Sequence, residues 1–349
     1  MTEARGLLVM EPGLLTTVQD LGRYGWASFG VPAAGALDEE ALRLANRLVG
    51  NAESAAALEI TFVGPVLRAA GDLDLAVAGG AFGPAPGKAF RVADGEVMSL
   101  ASGPGATRAI AAVSGGIDVP LVLGSRSTSV SGRFGGFQGR RLQRGDFLAV
   151  LPASAAPLVE ASADLRQPGD GDVVLRAFAG SDEAEFEAPA RAAFWGTPWR
   201  ILPESNRMGL RLSGPSLGLL ETASRASEGT TRGTVQVTAD GHPIVLLAER
   251  PTTGGYPKIA VVAAVDLNFD GGEGGDDEAL MRSVSTVNIA CGGHAGDVVS
   301  MRRVVRLALA KGVAIQAHPS YEDRASFGRN PVALAPAGIE ALVKEQVDT

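Results

Sequence analysis

The chain of 349 residues carries a formal net charge of −8 at pH 7, and 46% of its residues are hydrophobic. This length suits two or three domains, and the acidic balance argues against nucleic-acid binding, which needs a basic face. Because no apolar run reaches the roughly 20 residues that span a membrane, and a single cysteine excludes an internal disulfide, we expect a cytoplasmic protein that binds neither nucleic acid nor membrane.

Short strands dominate the prediction up to about residue 265. Apolar runs bounded by Gly, Pro and Asp indicate strands at residues 72–80, 108–116, 172–180 and 243–249. Such spacing is typical of β-barrels or sandwiches. A stretch rich in Ala, Ser, Pro and Gly at 153–172 predicts a boundary between domains at residues 1–160 and 172–264.

One helix is predicted within this β-rich part, over residues 38–51. Asp38 is placed to cap the first turn and Gly50 to end the last one. The apolar stripe of the helix consists of Leu42, Ala45, Leu48 and Val49. This pattern is typical of an amphipathic helix.

Strands and helices alternate after this part, which favours a parallel βαβ arrangement over residues 265–349. Strands are predicted for AVVAAVDLNF (260–269), STVNIACGG (285–293) and VAIQAH (313–318). Helices are predicted near residues 276–284, after Asp297 and from about Pro336.

Three loops of the β-rich part carry polar residues among glycines, at 115–136, at 204–215 and in the paired segments 227–237 and 248–258. Backbone N–H groups and guanidinium groups in such loops can hold a carboxylate or a phosphate. Solvated side chains in surface turns are the alternative interpretation. The candidate binding residues are Arg126, Ser127, Thr128, Arg133, Asn206, Arg207, Glu228, Thr252, Thr253 and Tyr256, and Lys258 is a candidate catalytic residue.

A resemblance to the KipA family is carried by VQDLGRYGWASFGVP, VSGGIDVPLVLGSRST, ESNRMGLRLSGP and TTGGYPKIA, in this order, and covers residues 7 to about 262. The family is also called allophanate hydrolase subunit 2, the biotin-dependent carboxyltransferase family or the C subunit of 5-oxoprolinase. The resemblance implies a mainly β fold with two cyclophilin-like β-barrel domains and a KipI-type partner subunit. It also implies cleavage of 5-oxoproline to L-glutamate with ATP hydrolysis.

The chemistry explains the need for ATP, because a five-membered lactam is an unstrained amide that hydrolyses slowly and unfavourably without coupling. Phosphorylation of the lactam oxygen creates a leaving group, and Arg, Lys and backbone donors would offset the developing negative charge. The chain contains neither a GxxxxGK[ST] phosphate loop nor a biotin-carrier segment. We therefore expect ATP, with Mg²⁺, at a site shared with a partner subunit, and no biotin on this chain.

The last part of the chain resembles a second family, LamB/YcsF or the A subunit of 5-oxoprolinase, through VDLNFDGGEG, VNIACGGHAGD and AHPSY. That family is a distorted β/α barrel whose first three strands end in such motifs, where barrels of this class gather catalytic groups. The candidate catalytic and metal-binding residues are Asp270, His294 and His318. The same motifs contain Asp266, Asn268, Glu273, Asn288 and Asp297. Because the sequence stops after three strands, we expect an incomplete β/α barrel and a complete LamB/YcsF-type protein as a partner.

Together, the two resemblances predict a component of an ATP-dependent 5-oxoprolinase. Two alternatives stay open, namely carboxyl transfer from biotin supplied by another chain, and a non-enzymatic module that binds a KipI-type protein. At the junction of the two parts, one apolar run is available to two domains. We expect residues 259–267 to pair within the β-rich part and not to serve both.

Overall fold

The computed structural model describes residues 5–153, 173–220, 226–262, 268–271, 277, 286–291, 295–311, 314–318, 324, 341, 344 and 346. The chain forms two compact units, Met1–Val262 and Ala263–Thr349. Within the first unit, we call residues 5–153 the first β region and residues 173–262 the second β region. The prediction of a mainly β fold is confirmed, and no helix in these described ranges is long and apolar enough to cross a membrane.

The first β region is built from two antiparallel sheets. Its strands are β1 (Gly6–Glu11), β2 (Leu15–Gln19), β3 (Ala57–Thr61), β4 (Val66–Ala70), β5 (Leu73–Gly79), β6 (Ala89–Val92), β7 (Val97–Ser99), β8 (Arg108–Val113) and β9 (Phe147–Ala149). Sheet A has the order β7–β4–β1–β9, and sheet B has the order β2–β3–β8–β5–β6. The predicted strands at 72–80 and 108–116 are confirmed as β5 and β8.

The core of this region lies between sheets A and B. Leu7 of β1 and Leu67 of β4 are buried in one cluster with Leu58 of β3 and Val77 of β5. Because side chains alternate along a strand, residues next to these point to the opposite face of each sheet. Glu59, which follows Leu58 in β3, therefore lies on the outer face of sheet B.

Helix α1 (Glu39–Leu48) covers part of that outer face, as the amphipathic pattern predicts. Asp38 caps it by accepting a hydrogen bond from the backbone N–H of Ala41 at 2.9 Å. The helix packs its apolar stripe against small side chains of sheet B, which include Ala57, Ala76, Ala78 and Ala112. Alanines at these positions let the helix lie close to the sheet. Gly50 follows the helix with φ of 71°, the left-handed conformation that ends many helices.

The second β region forms sheet C, with the order β10–β17–β14–β15–β12–β11, and a separate short ribbon of β13 and β16. The strands are β10 (Ala177–Ala179), β11 (Arg200–Ile201), β12 (Gly209–Ser213), β13 (Glu228–Gly229), β14 (Thr234–Val237), β15 (Pro243–Leu246), β16 (Thr253–Gly254) and β17 (Lys258–Val262). A core around Phe186, Val235, Val245 and Ile259 holds the sheet.

Two predictions for this region were wrong in part. The strand expected over residues 172–180 is limited to β10. A second helix, α2 (Ala188–Gly196), was not predicted. This helix buries only Ala190 fully, so it lacks the wide apolar stripe that reveals a helix in a sequence.

The second unit contains sheet D, in which β18 (Asn268–Gly271), β19 (Thr286–Ala290) and β20 (Ala314–His318) pair in parallel in that order. Helix α3 (Val298–Lys311) connects β19 to β20, so these elements form the βαβ arrangement that the alternation predicts. Asp297 caps α3 through the backbone N–H of Ser300 at 2.7 Å. Most of the helices predicted near 276–284 and beyond Pro336 lies outside the described residues, and barrel closure stays a prediction.

Each unit has a strand next to the junction, β17 in the first unit and β18 in the second. Strand β17 pairs with β10 and β14 inside the first unit, which confirms the expected pairing for residues 259–262. Strand β18 nevertheless pairs with β19 in the second unit. The prediction of a single strand at 260–269 was wrong, because these residues contain parts of two strands, β17 and β18. Residues 263–267 lie outside the described residues.

The packing of α1 on sheet B leads to a stability prediction. Leu42 is 0% exposed, and Leu42→Ala should lower the free energy of unfolding by about 2–5 kcal/mol because it removes buried methyl groups and leaves a cavity. Urea unfolding followed by tryptophan fluorescence measures this, since Trp26, Trp195 and Trp199 all lie in the first unit. Leu121→Ala, at a side chain that is 60% exposed, is the control and should change the value by less than about 0.5 kcal/mol.

Candidate active site where the two β regions meet

The third predicted loop consists of two segments, residues 227–237 and 248–258, and the ribbon of β13 and β16 pairs them. Glu228 pairs with Gly254, and Gly229 with Thr253. The ammonium group of Lys258, at the start of β17, donates a hydrogen bond to Glu228 Oε2. The Lys258 side chain is mostly buried and the Glu228 side chain is mostly exposed, so the ion pair lies at the protein surface.

The other predicted residues of this loop lie beside the ribbon. The carbonyl of Thr252 accepts a hydrogen bond from the Thr230 backbone N–H at 3.0 Å. The carbonyl of Tyr256 accepts one from the buried Gln236 amide at 3.2 Å, and the Tyr256 ring is half exposed. The loop therefore presents an ammonium group, a carboxylate and a phenol on a hydrogen-bonded backbone, as the sequence predicts.

In the second predicted loop, Arg207 is buried and reaches the outer face of sheet B. Its Nη1 donates to Glu59 Oε1, and its Nη2 donates to the carbonyl of Gly35 at 2.6 Å. Arg108 also donates to Glu59 Oε1 at 2.7 Å, and the Leu37 backbone N–H donates to Oε2 at 2.7 Å. Arg207 thus joins the second β region to the first through one buried carboxylate.

These contacts set the ionisation of Glu59. Burial acts to raise the pKa of its carboxyl, but Arg207, then Arg108 and the Leu37 N–H outweigh burial, so the pKa lies below its usual value. Glu59 is therefore the ionised partner of two guanidinium groups. By contrast, Asn206, the neighbour of Arg207, only closes a local turn through its Oδ1 and the Met208 N–H at 2.8 Å.

A second carboxylate, Glu249, lies on the other side of Arg207. Arg207 Nε is 3.6 Å from Glu249 Oε2, and the backbone N–H of Val130 donates to Glu249 Oε1 at 2.6 Å. Burial raises the pKa of Glu249 above its usual value, and Arg207 only partly opposes this. The pKa values of the two glutamates are thus shifted in opposite directions although the two side chains share one arginine.

The donors of the first predicted loop bind a carboxylate that belongs to the protein itself. Asp20 accepts hydrogen bonds from the hydroxyls of Ser125 and Ser127 and from the backbone N–H groups of Gly22 and Arg126. The loop therefore has the anion-binding chemistry that the sequence predicts. In this structure the chain's own Asp20 occupies those donors.

The remaining predicted residues of this loop are dispersed. Thr128 is buried and donates to the Val18 carbonyl at 2.9 Å. Arg126 Nε donates to the Val119 carbonyl at 2.8 Å, and the exposed Arg133 adopts a φ of 57°. A ligand-binding role for these residues stays a prediction.

Sequence reasoning missed a buried arginine next to this loop. Arg23 is 2% exposed, donates through Nη2 to the Ser127 carbonyl, and lies 4.8 Å from the centre of the Phe134 ring. Its Nη1 has no hydrogen-bond partner among the described residues. Glu59 was also missed, although a single acid between Leu58 and Ile60 in an apolar strand is a signal of a buried charge.

The candidates of the second unit are described only in part. Asp270 in β18 is paired with Asn288 in β19, and Ala290 in β19 is paired with His318 in β20. Both candidates therefore occupy the carboxyl-terminal half of parallel strands, where the motifs predict them. His294, Asp266 and Glu273 lie outside the described residues. Among the described residues, no three His, Cys, Asp or Glu side chains form a group that could hold a metal.

Comparison with known families agrees with this organisation. The model of the carboxyltransferase domain, subdomain A and B, matches residues 29–271, and the model of the LamB/YcsF family matches residues 265–349. The chain belongs to the carboxyltransferase domain family and carries a LamB/YcsF region at its carboxyl-terminal side. It is a fusion of relatives of the C and A subunits of 5-oxoprolinase.

Individual relatives support both parts. The C subunit of the Escherichia coli 5-oxoprolinase is 38% identical over 268 residues, which cover 75% of this chain and 86% of that protein. The A subunit of the Chloroflexus aggregans 5-oxoprolinase is 50% identical over 90 residues, which cover 24% of this chain and 36% of that protein. The crystal structure of TTHA0988 is 36% identical with a TM-score of 0.66, and the match covers 75% of this chain and 52% of TTHA0988.

A fungal structure resembles a larger share of the chain. The urea amidolyase of K. lactis has a TM-score of 0.67 and 25% identity, and the match covers 97% of this chain and 21% of that protein. The carboxyltransferase fold therefore occurs both in the bacterial relatives and inside a large fungal enzyme.

The opposite pKa shifts of the two buried glutamates lead to a paired prediction. Glu59→Gln should lower the free energy of unfolding by about 3–5 kcal/mol near pH 7, because it leaves the buried Arg207 without its main carboxylate. Glu249→Gln should lower the free energy of unfolding by a smaller amount, because burial already favours the neutral form of the Glu249 side chain. Urea unfolding of both variants, each compared with wild type, measures the difference.

The pH dependence provides a second measurement on the same variants. Glu59 has a folded-state pKa below the usual 4.5, so its contribution is complete above that pH and is lost as the pH falls through the lower folded value. The stability gap between wild type and Glu59→Gln should therefore narrow in acid. The pKa of Glu249 is shifted in the other direction, above its usual value. The free energy of unfolding of wild type should therefore rise relative to that of Glu249→Gln as the pH falls. If the difference in the free energy of unfolding between wild type and Glu59→Gln stayed constant down to the lowest pH at which both fold, the lowered pKa of Glu59 would be contradicted.

Proposed function

We propose that the chain is a component of an ATP-dependent 5-oxoprolinase, which opens the lactam of 5-oxoproline to L-glutamate. The main support is that one chain joins relatives of two parts of this enzyme, its C subunit over residues 29–271 and its A subunit over residues 265–349. Two unrelated matches to the same enzyme system are stronger support than either match alone. In this proposal the β regions are cyclophilin-like barrels, and the second unit is part of a β/α barrel.

The third loop supplies the groups that act on the lactam. The reaction places negative charge on the lactam oxygen as the ring opens, and a positioned ammonium group stabilises such charge. Lys258 is the proposed donor, because Glu228 holds its ammonium group at the surface of the second β region. Thr252, Thr253 and Tyr256 belong to the same loop, and we assign their hydroxyl groups to orienting a small polar substrate.

When bound, ATP supplies the phosphoryl group that makes the lactam oxygen a leaving group. Guanidinium groups, which suit phosphates, lie where the two β regions meet. Arg207 and Arg108 bind Glu59 there, and Arg232 binds Glu39. We therefore place the nucleotide and its Mg²⁺ at a surface shared with a KipI-type protein, the B subunit of 5-oxoprolinase, and we expect no biotin on this chain.

The second unit contributes the LamB/YcsF motifs. Asp270, His294 and His318 are the proposed catalytic and metal-binding residues of this unit, by resemblance to the motifs of the LamB/YcsF family. Because the match spans 36% of the Chloroflexus aggregans relative, a complete LamB/YcsF-type protein is included in the proposed complex and in its test.

Carboxyl transfer from biotin is a second candidate function. The support for it is the carboxyltransferase domain match and the fold shared with urea amidolyase. Incubation with carboxylated biotin and a lactam or urea distinguishes the two functions. Biotin-dependent transfer without ATP-dependent glutamate formation would replace the 5-oxoprolinase proposal.

The test of the proposed function is reconstitution. The chain, mixed with a KipI-type protein and a complete LamB/YcsF-type protein, should form L-glutamate from 5-oxoproline only when ATP is present. Lys258→Met should lower kcat by about 100-fold or more, because it removes the proposed charge donor. Coupled glutamate detection measures the rate.

A matched lysine controls for the loss of charge. Lys88→Met changes an exposed lysine of the first β region and should leave the rate unchanged. Glutamate formation at the wild-type rate by Lys258→Met would disprove the role of Lys258, and no glutamate from the complete wild-type mixture would disprove the proposed function.

A further inference from the structure

An arginine with unused donors lies beside the candidate site. Arg250 is half-buried, and its Nε donates to the Thr230 carbonyl at 3.3 Å. Among the residues that the structure describes, no carboxylate forms an ion pair with this guanidinium. Its two terminal NH₂ groups therefore form a free planar fork, the shape that binds a carboxylate or a phosphate with two parallel hydrogen bonds.

A second guanidinium group belongs to Arg232, which follows closely after Thr230, the residue whose carbonyl holds Arg250. Arg232 donates through Nη1 to Glu39 Oε1 at 2.8 Å and through Nη2 to the Leu37 carbonyl at 2.5 Å. These contacts fix Arg232 to the first β region. Burial lowers the pKa of Arg250, and although Tyr24 acts in the opposite direction, the nearby positive charge of Arg232 adds to this lowering. An added anion would relieve this repulsion, because Glu39 is the one carboxylate in the described part of the chain that forms an ion pair with either arginine.

The phenol of Tyr24 completes the cluster. Burial and then the charge of Glu39 raise the pKa of the Tyr24 hydroxyl, and Arg232, Arg250 and Arg43 oppose this, so the hydroxyl lies within electrostatic range of these groups. Arg43 is already paired with Glu53 at 3.1 Å. The Tyr24 ring is 68% exposed, so its hydroxyl is accessible to a ligand from solvent.

We propose that Arg250, together with Arg232 and Tyr24, binds the carboxylate of a small lactam acid. The inference rests on the proposed function, because 5-oxoproline carries a carboxylate next to the ring that is opened. It goes further by assigning specificity to residues outside the predicted loops. A lactam without a carboxylate would leave the fork unpaired and would bind weakly.

The position of the cluster agrees with this role. Thr230, whose carbonyl holds Arg250, also binds the Thr252 carbonyl through its backbone N–H at 3.0 Å. The carboxylate anchor is thus connected by hydrogen bonds to the loop that carries the proposed lactam-binding residues. Anchoring one end of a small substrate in this way would orient its lactam for reaction.

Calorimetry on the full chain tests the site without relying on catalysis. L-5-Oxoproline should bind the wild-type chain, whereas 2-pyrrolidinone, the same lactam without the carboxylate, should not. Arg250→Gln should weaken 5-oxoproline binding by about 10- to 100-fold, the usual effect of losing a charge-assisted pair. Arg250→Lys keeps the charge but not the fork and should give an intermediate affinity.

Two further variants control for loss of binding through misfolding. Tyr24→Phe removes only one exposed hydroxyl, and it should still weaken binding by a measurable factor. Arg68→Gln removes an exposed arginine of β4 and should change nothing. In the reconstituted enzyme, Arg250→Gln should raise KM for 5-oxoproline by the same factor as it weakens binding, with a smaller effect on kcat.

Each contrary result has a defined meaning. Equal binding of 5-oxoproline by wild type and folded Arg250→Gln, or no binding by wild type, would overturn the inference. Binding of inorganic phosphate but not of 5-oxoproline would overturn the carboxylate assignment. An active complex in which Arg250→Gln has the wild-type KM would overturn the inference while the proposed function stands. Specific 5-oxoproline binding without glutamate formation would leave the anchor supported and the proposed function disproved.

Discussion

The buried carboxylate of Glu59 is the interaction on which the arrangement of the first unit depends. It receives hydrogen bonds from Arg207 of the second β region, from Arg108 of β8 and from the backbone N–H of Leu37. A buried charge is costly unless it is paired and hydrogen-bonded. If the second β region moved away from the first, Arg207 would lose its hydrogen bond to Glu59. Glu59 would keep Arg108 and the Leu37 N–H as donors, but its buried charge would be less well compensated. The pair fixes the position of the second β region as well as contributing to stability, because the hydrogen bond between Arg207 and Glu59 is directional.

The constraint extends to the segment that precedes α1. Arg207 binds the Gly35 carbonyl, Glu59 binds the Leu37 N–H, and the Leu37 carbonyl in turn accepts a hydrogen bond from Arg232. The buried pair thus fixes a backbone segment that places Arg232, and with it the Arg250 cluster. A surface-exposed set of arginines would otherwise sample many positions, since their side chains are long. Fixing one of them through the backbone provides a site with defined geometry.

The parts of this structure that the sequence predicts are those set by local chemistry. Helix α1 follows from its cap at Asp38 and its apolar stripe, and both depend on residues within one or two turns. The partner of Glu59 could not be predicted, because Arg207 is 148 residues away along the chain. The first loop shows the same limit. Its donors have the predicted anion-binding chemistry, but the anion is Asp20, which lies more than 100 residues earlier.

The junction between the two units shows why a continuous apolar run can mislead. Strands of four or five residues are common, so a run over residues 258–271 has room for two. No turn residue within its apolar centre marks where one strand ends and the next begins. The two family matches overlap over residues 265–271 in the same place, which is the pattern expected when two coding regions are joined with little added sequence. The chain joins a relative of the C subunit to a region that matches 36% of an A-subunit relative. An encounter between these two parts is intramolecular, so their effective concentration does not depend on expression level. This is a physical reason to keep the fusion.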